Sequence, residues 1–500
     1  MSLRAPVSCI SAVFLCTFLS ACGGSNNSQP PNNPVGSTSL LVNFGDLASG
    51  HITLPPGYAP GNNSDPMAKA RLEVSSIVLT RTDGSTTELL LSPIWVEFVH
   101  VQGRPEPLLT STAPQGDYQK VTITQMAKDL TYVYPAHAVP GAISFEYCSP
   151  SAPASCLSGS SASATFNINL SPAVNLGDSP AVLNLDLDFR GALEGGSGGV
   201  GAFPYFSANI QSIAAAGQQQ PDTGAVESIT GLISQANPTS LALQVEGNSC
   251  SLRFIFDNNT FFEGVTGNTL AANMLVVVSA LTQANGDLLA THVQLVGTSQ
   301  QIGVMGTAFG LCNQASIFCS TISYGQGTPP NLVEVQSYNS ADPTLPETFQ
   351  PSLASDVQFL IDQSGADLTN LSFVPQFDAS SFVNGQLVDV FGDFTPPNSL
   401  LVHSVKLRQE AIAGTVSQLV QSNGQTTFSL QPINFGLFQT IAFSLQAPNG
   451  PYDITVIQQP STIVAGTISE GANARVIGLL FFDSNSFTYR LVAHSIDVIQ

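Results

Sequence analysis

The sequence predicts an all-β protein: an N-terminal unit followed by about three recurring units. Three observations carry that expectation. Apolar and polar residues alternate along most of the chain, the period of a strand with one buried face. In "AVLNLDLDF", Leu183, Leu185, Leu187 and Phe189 share one face, and Asn184, Asp186 and Asp188 the other. Turn dipeptides separate the runs: Asp83-Gly84, Asn285-Gly286, Asn384-Gly385, Asn423-Gly424 and Asn449-Gly450 supply the positive φ angles of tight hairpins. Stretches of helical period are scarce, and 500 residues suffice for roughly three or four domains.

The first element stands outside the fold. Arg4 is the only charge ahead of an apolar run, Ala5 to Ala21, that closes on small residues. Residues 1–21 therefore read as a secretory signal, too short for a stable membrane span. Leu19-Ser20-Ala21-Cys22 resembles the lipobox of bacterial lipoproteins: an aliphatic residue, two small ones, then cysteine. The resemblance implies cleavage before Cys22, a diacylglycerol on its thiol and an acyl chain on the freed amine. Each buried methylene adds about 0.8 kcal/mol, and a lasting hold needs more than one chain, so Cys22 becomes the membrane anchor. The alternative is an ordinary signal peptide with a chance cysteine. Gly23 stands where an Asp would resemble an inner-membrane retention signal, which directs the expectation to the outer membrane. Residues 22–38 carry Asn, Ser, Pro and Gly without apolar period and read as a flexible tether.

Composition then excludes whole classes of partner. Lys+Arg number 13 and Asp+Glu 34, a formal charge of −21 that becomes about −22 once Arg4 leaves with the signal. Nucleic acid is excluded, because its phosphates require basic surface. Docking onto anionic lipid through protein charge is excluded on the same ground. Charged residues are only 9% of the chain, so the outer strand faces are uncharged and polar. No stretch after Cys22 is apolar enough to span a membrane as a helix. Cys9 and Cys16 leave with the signal. Cys148/Cys156 and Cys312/Cys319 are close pairs, expected as disulfides in an oxidising compartment. Cys250 is left over, as a buried thiol or as an exchange partner for one pair. No CxxC spacing occurs, so no zinc site and no cofactor are expected.

Residues 39–213 read as one unit. "ARLEVSSIVLTRTDGSTTELLL" is a hairpin, "GDYQKVTIT" a later strand and "AVLNLDLDF" another, with "FPYFSANIQSI" closing the unit. On those stretches the chain resembles an N-terminal domain family of unknown function found in bacterial lipoproteins. The resemblance covers about a third of the protein and implies a Greek-key sandwich. Pro140 to Ser163 departs from the family pattern and reads as a looped insertion closed by Cys148 and Cys156.

A polar linker, Ala214 to Thr223, precedes the repeats, expected at 226–298, 302–409 and 410–500. "ITGLISQ", "VMGTAFG" and "IAGTVSQ" open them, "LVVVSAL", "LVDVFGDF" and "VIGLLFFD" form their central strands, and "ATHVQLV", "VHSVKLR" and "AHSIDVI" close them. Three degenerate copies are the simplest account of that recurrence. They resemble a second unknown-function family of small β-barrels that occurs in tandem in bacterial secreted proteins. Gly231, Gly306 and Gly414 would let the opening strand bend as a barrel closes. Cys312–Cys319 and the Pro/Ser/Thr-rich stretch from Gln326 to Ser352 lengthen the second copy.

Catalytic and ligand-binding patterns are weak throughout. Gly195-Gly196-Ser197-Gly198-Gly199 satisfies G-x-S-x-G, but no helix or α/β unit follows to make a nucleophile elbow, so it reads as a flexible loop. His403 and His494 hold equivalent repeat positions, with Thr291 in the first copy and His292 one residue on, and read as outward-facing polar residues. His51, His100 and His137 have no evident partners. Asp186 and Asp188 lie two residues apart, about 7 Å, on one strand face. They are weak candidates for calcium or acid–base chemistry, and a solvated face is the expected role, as for Asp389 and Asp393. One tryptophan, Trp95, gives no aromatic platform for sugar; Tyr324 and Tyr338 are the expected exposed rings. The sequence thus points to a lipid-anchored, non-enzymatic envelope protein with a structural, adhesive or assembly role. A polysaccharide- or other ligand-binding surface module is the alternative, and a hydrolase the weakest reading.

Overall fold

Among the described residues of the computed structural model every regular element is a β-strand, and no α-helix occurs. The structure describes residues 36–45, 69–97, 101, 105–133, 145–149, 152–157, 163–188, 194–196, 199–202, 205–220, 223–245, 248, 251–309, 329–338, 348–362, 366–383, 385–422, 425–432, 454–483 and 488–499. The expected signal, Cys22, His51, His100, His137, Ser197, Cys250, Cys312, Cys319 and Tyr324 lie outside them.

Thirteen strands make the N-terminal unit: β1 (Ser37–Gly45), β2 (Lys69–Arg81), β3 (Thr86–Glu88), β4 (Ile94–Glu97), β5 (Glu106–Pro114), β6 (Gly116–Val133), β7 (Phe145–Ser149), β8 (Ala152–Leu157), β9 (Ser163–Leu176), β10 (Ala181–Asp188), β11 (Glu194–Gly196), β12 (Gly199–Ala202) and β13 (Tyr205–Ser212). One sheet runs β13-β10-β1-β5; a second runs β3-β2-β6-β9 with β4 on β2; a small third runs β11-β12-β7-β8. The period-2 pattern decides which residues meet. Leu40, Val42 and Phe44 of β1 join Leu183 and Leu185 of β10, Ile77 and Leu79 of β2, and Val121 and Ile123 of β6 in one core. Where the chain leaves β5 for β6, buried Tyr118 donates its hydroxyl hydrogen bond to the Pro114 carbonyl at 2.7 Å and fixes that corner. The region from Pro140 to Ser163, expected as a loop, instead contains the β7–β8 hairpin, whose backbone register sets Cys148 opposite Cys156.

The remaining strands form three barrels with one topology. The first uses β14 (Ala225–Asn237), β15 (Ser240–Gln244), β16 (Ser251–Ile255), β17 (Phe261–Glu263), β18 (Leu275–Thr282) and β19 (Leu288–Gly297). The second uses β20 (Ile302–Phe309), β21 (Asn331–Ser337), β22 (Thr348–Ile361), β23 (Leu387–Thr395) and β24 (Ser399–Leu407), and the third β25 (Gln409–Ser422), β26 (Gln425–Pro432), β27 (Ile454–Ala465), β28 (Asn473–Asp483) and β29 (Thr488–Ile499). The second and third close in the order first-second-third-fifth-fourth, with the third and fifth strands parallel. In the first barrel β16 and then β17 take the third-strand place against β19. This strand order is that of the five-stranded OB-type barrel. The stretch from Gln326 to Ser352, read as an insertion, holds β21 and the start of β22, so part of it is barrel wall.

A shared irregularity ties the three barrels together more closely than their sequences do. In the first, the six steps from Ile255 to Phe261 pass only three of β19, from Leu289 to His292. In the second, Leu353 to Gln358 passes only Val402 to Ser404; in the third, Gln458 to Ile463 passes only Ala493 to Ser495. Each third strand therefore carries the same three-residue excess, a bulge that bends the wall. In the first and third barrels a threonine closes it alike. Thr260 Oγ1 donates to the Ala290 carbonyl at 2.8 Å and accepts from the Asp257 amide; Thr462 Oγ1 donates to the Ala493 carbonyl at 2.7 Å and accepts from the Gln459 amide.

Gly84, Gly286 and Gly385 take the positive φ expected of their turns, whereas Gly231, Gly392, Gly414 and Gly478 serve close approach. A Cβ on Gly231 would overlap the Gln244 carbonyl oxygen, and one on Gly414 would come within 2.6 Å of the Gln431 oxygen, where the opening strand crosses its neighbour. Gly392 and Gly478, just past a register shift in the fourth strand, would overlap the carbonyl oxygens of Leu401 and Val492. Gly478→Ala is expected to force β28 and β29 apart and to cost about 1–3 kcal/mol, read as a lower urea midpoint. An unchanged midpoint would mean the two strands separate freely there.

Candidate functional site

"VKLRQE", residues 405–410, places Lys406, Arg408 and Glu410 two residues apart, hence on one side of an extended chain. The alternation that buries Val405 and Leu407 in the second barrel drives these three ionisable groups into the region between modules. Arg408 is the single residue between β24 and β25. Its Nη1 donates to Asp389 Oδ2 at 3.2 Å and to the Tyr338 hydroxyl at 3.3 Å, while Nη2 donates to Glu106 Oε1 at 3.1 Å. Tyr338 completes the ring by donating to Asp389 Oδ1 at 2.7 Å. Beside it, Lys406 Nζ lies 3.5 Å from Asp362 Oδ2. All six side chains are buried.

Burial alone would strip the charge from Arg408, but Asp389, Tyr338, Glu106 and Asp362 around it hold its pKa well above the ordinary arginine value. Burial and the adjoining Asp389 charge push the Tyr338 hydroxyl well above the usual tyrosine range, which keeps it a donor. Glu410 differs. Its Oε1 accepts one hydrogen bond from the Leu387 amide at 3.4 Å, and burial pushes its pKa up to about 8. It is a neutral acid at neutral pH.

This cluster joins three modules: Glu106 belongs to the sandwich, Tyr338 and Asp389 to the second barrel, and Arg408 is the hand-off to the third. Buried side-chain amides make the neighbouring junctions. Asn248 donates to the Trp95 carbonyl and accepts from the Trp95 amide, both at 2.7 Å, as a strand partner would. Gln219 does the same with both backbone groups of Thr282, at 2.8 and 3.0 Å, so the segment expected as a polar linker is packed onto the first barrel. Gln386 accepts from the Val383 amide and donates to the Leu480 carbonyl of the third barrel. Arg490 of that barrel lies 5.1 Å over the Phe373 ring, which packs edge-on against Phe481. Apolar cores cross the same seams: one runs from the sandwich through the first barrel to Met305, Tyr338 and Phe391, another from the second barrel to Leu479, Phe481 and Val492.

Several expectations change against this geometry. Tyr338 is not an exposed ring: it is 1% exposed, because it directly follows β21 at the seam and stacks near Phe391. Asp389 is likewise not on a solvated face; the ion pair with Arg408 draws it inside. Asp186 is buried beside the Asn43–Asn184 pair, whose amide hydrogen bond is 2.9 Å, so that strand face is covered as well. The side chain of Asp188 lies outside the described residues. Asp393 does remain exposed, as expected, and pairs with His403 at 2.9 Å; Asp356 lies 3.6 Å from the other ring nitrogen. The hydrogen bond to Asp393 holds the His403 pKa above the usual histidine value. His292 pairs with Glu263 at 3.2 Å beneath the exposed ring of Phe261. Among the described residues no group of His, Cys, Asp and Glu has the arrangement to hold a metal ion, and no helix is long and apolar enough to cross a membrane.

Arg408, Glu106, Lys406, Asp362 and Glu410 escaped the sequence reading. One signal was present: in a chain with only 13 Lys+Arg, two of them alternate with apolar residues in a strand.

Comparison with known proteins reaches one module. Residues 224–294 match a domain of unknown function, DUF5666, so a domain of that family is present, and it corresponds to the first barrel. No curated protein matches the chain. Among solved structures, the drosophila Unr CSD456 chain is similar at 10% identity, over 55% of this chain and 97% of that one, with a TM-score of 0.13. A likeness that weak bears on nothing below.

Proposed function

We propose that this protein is a lipid-anchored, non-enzymatic scaffold of the bacterial cell envelope, a structural or assembly element at the outer membrane. The observation that carries the reading is the buried cluster at Arg408. Its carboxylates and tyrosine are spent on one another, and what they accomplish is to clamp the sandwich to two barrels. A chain that buries scarce cations at its seams is built to hold its modules in fixed relation. The anchor rests on Leu19-Ser20-Ala21-Cys22, which sits just ahead of the polar tether and β1. OB-type barrels host many functions, so the topology names none by itself, and a charge of −21 speaks against polyanionic partners. The same compartment would oxidise Cys148 with Cys156 and Cys312 with Cys319.

Mass spectrometry of the protein purified from its native membrane tests the anchor. The expected N-terminal peptide begins at Cys22 and carries two or three fatty acyl chains. A peptide beginning elsewhere, or an unmodified Cys22, would remove the anchor from the account.

A further inference from the structure

The outer face of the β3-β2-β6-β9 sheet carries a feature that the scaffold reading leaves unused. Directly across that sheet lie Thr80, Lys120 and Asn169, one each from β2, β6 and β9. Next to this row the β6–β9 register slips: Tyr118 faces Val174 while Lys120 faces Asn169, so Leu170 to Ala173 bow away from β6. The bow opens a hollow of about 370 Å³ lined by Thr80, Gln119, Lys120, Asn169 and Leu170. That volume lies within the ~300–1,000 Å³ of ordinary small-molecule sites. Four of the five lining residues are polar, which suits a ligand rich in hydroxyls rather than an apolar one.

Lys120 gives the hollow its charge preference. Acids outnumber bases 34 to 13 in this chain, so an acidic partner is easy to find, and Arg81, Lys406, Arg408 and Arg490 each have one. Among the described residues Lys120 has none. It faces two neutral side chains across the sheet instead, a hydroxyl and a carboxamide. In the next row Thr122 Oγ1 donates to Asn167 Oδ1 at 3.0 Å beside Val78 and Glu88, whose carboxylate is taken by the Ser76 hydroxyl and the Ile77 amide. A hollow lined by a hydroxyl, two carboxamides and an ammonium that faces no carboxylate across the sheet fits a polyhydroxylated ligand bearing a single carboxylate. A long polyanion would be repelled by the −21 charge of the chain.

We propose that the hollow between Lys120 and Leu170 binds a carboxylated sugar unit, Lys120 Nζ taking the carboxylate while Thr80, Gln119 and Asn169 take hydroxyls. This site is independent of the anchor and of the Arg408 clamp. Isothermal titration of the full-length protein with D-glucuronate, D-glucose and acetate tests it. Saturable binding of glucuronate is expected, with glucose and acetate each at least about tenfold weaker. Lys120→Met should weaken glucuronate about tenfold or more and leave the unfolding midpoint unchanged, since the side chain holds no structural pair. Asn169→Ala should weaken both sugars and spare acetate. No saturable glucuronate binding at millimolar concentration, equal binding of acetate, or full binding by Lys120→Met would each overturn the proposal.

Discussion

Arg408→Met is expected to destabilise the protein by about 3–5 kcal/mol, the cost of leaving buried carboxylates without their cation. Glu106 and Asp389 lose their shared partner, and Tyr338 loses the guanidinium but keeps its bond to Asp389. Part of that loss is recoverable. Arg408→Met combined with Glu106→Gln and Asp389→Asn removes the stranded charges and is expected to regain most of the stability, because neutral replacement of a whole buried pair is often close to neutral overall. Urea unfolding of the wild type, the single variant and the triple variant checks this. If the single variant matched the wild type, the cluster would have no part in joining the modules. If the triple variant were as unstable as the single one, shape rather than charge would be what Arg408 supplies.

The second large effect belongs to Glu410. In the folded chain it keeps its proton to about pH 8, whereas its ordinary value is 4.5. Between those two values the native state binds one more proton than the unfolded state, so stability falls as pH rises. The slope approaches about 1.4 kcal/mol per pH unit and flattens above pH 8. Glu410→Gln keeps the acceptor for the Leu387 amide and has no proton to lose. The variant is therefore expected to lack this component of the decline and to exceed the wild type in stability most at pH 8 and above. Unfolding midpoints at pH 5, 6.5 and 8 check it. A variant with the wild-type slope would show that the carboxyl already ionises at ordinary pH.

How much of this was legible beforehand divides along the distance between interacting residues. Alternation and turn dipeptides are local, and they marked the all-β class and the recurring opening strands that contain Gly231, Gly306 and Gly414. The three-residue bulge was not legible, because it is a relation between two strands far apart in sequence, and in the second barrel Val357 stands in the place of the closing threonine. Asp389 was misplaced because period-2 reasoning assigns polar residues to solvent, and it has no way to know that a second module covers the outer face. Tyr338 was misplaced because the stretch read as an insertion holds β21, and Asp186 because its strand face is covered beside Asn43 and Asn184. Arg408 and Glu106 are separated by 302 residues. The charge alternation in "VKLRQE" said that something unusual lay there; it could not say what came to meet it.

A double-mutant cycle across the Glu106–Arg408 contact tests the clamp most directly, since one residue is in the sandwich and the other at the hand-off between barrels. Glu106→Gln, Arg408→Met and the pair are compared with the wild type by equilibrium unfolding. The clamp predicts a coupling of about 1.5 kcal/mol or more, as found for close desolvated charge pairs. Strictly additive losses would contradict it: the sandwich and the barrels would then be neighbours that do not hold each other.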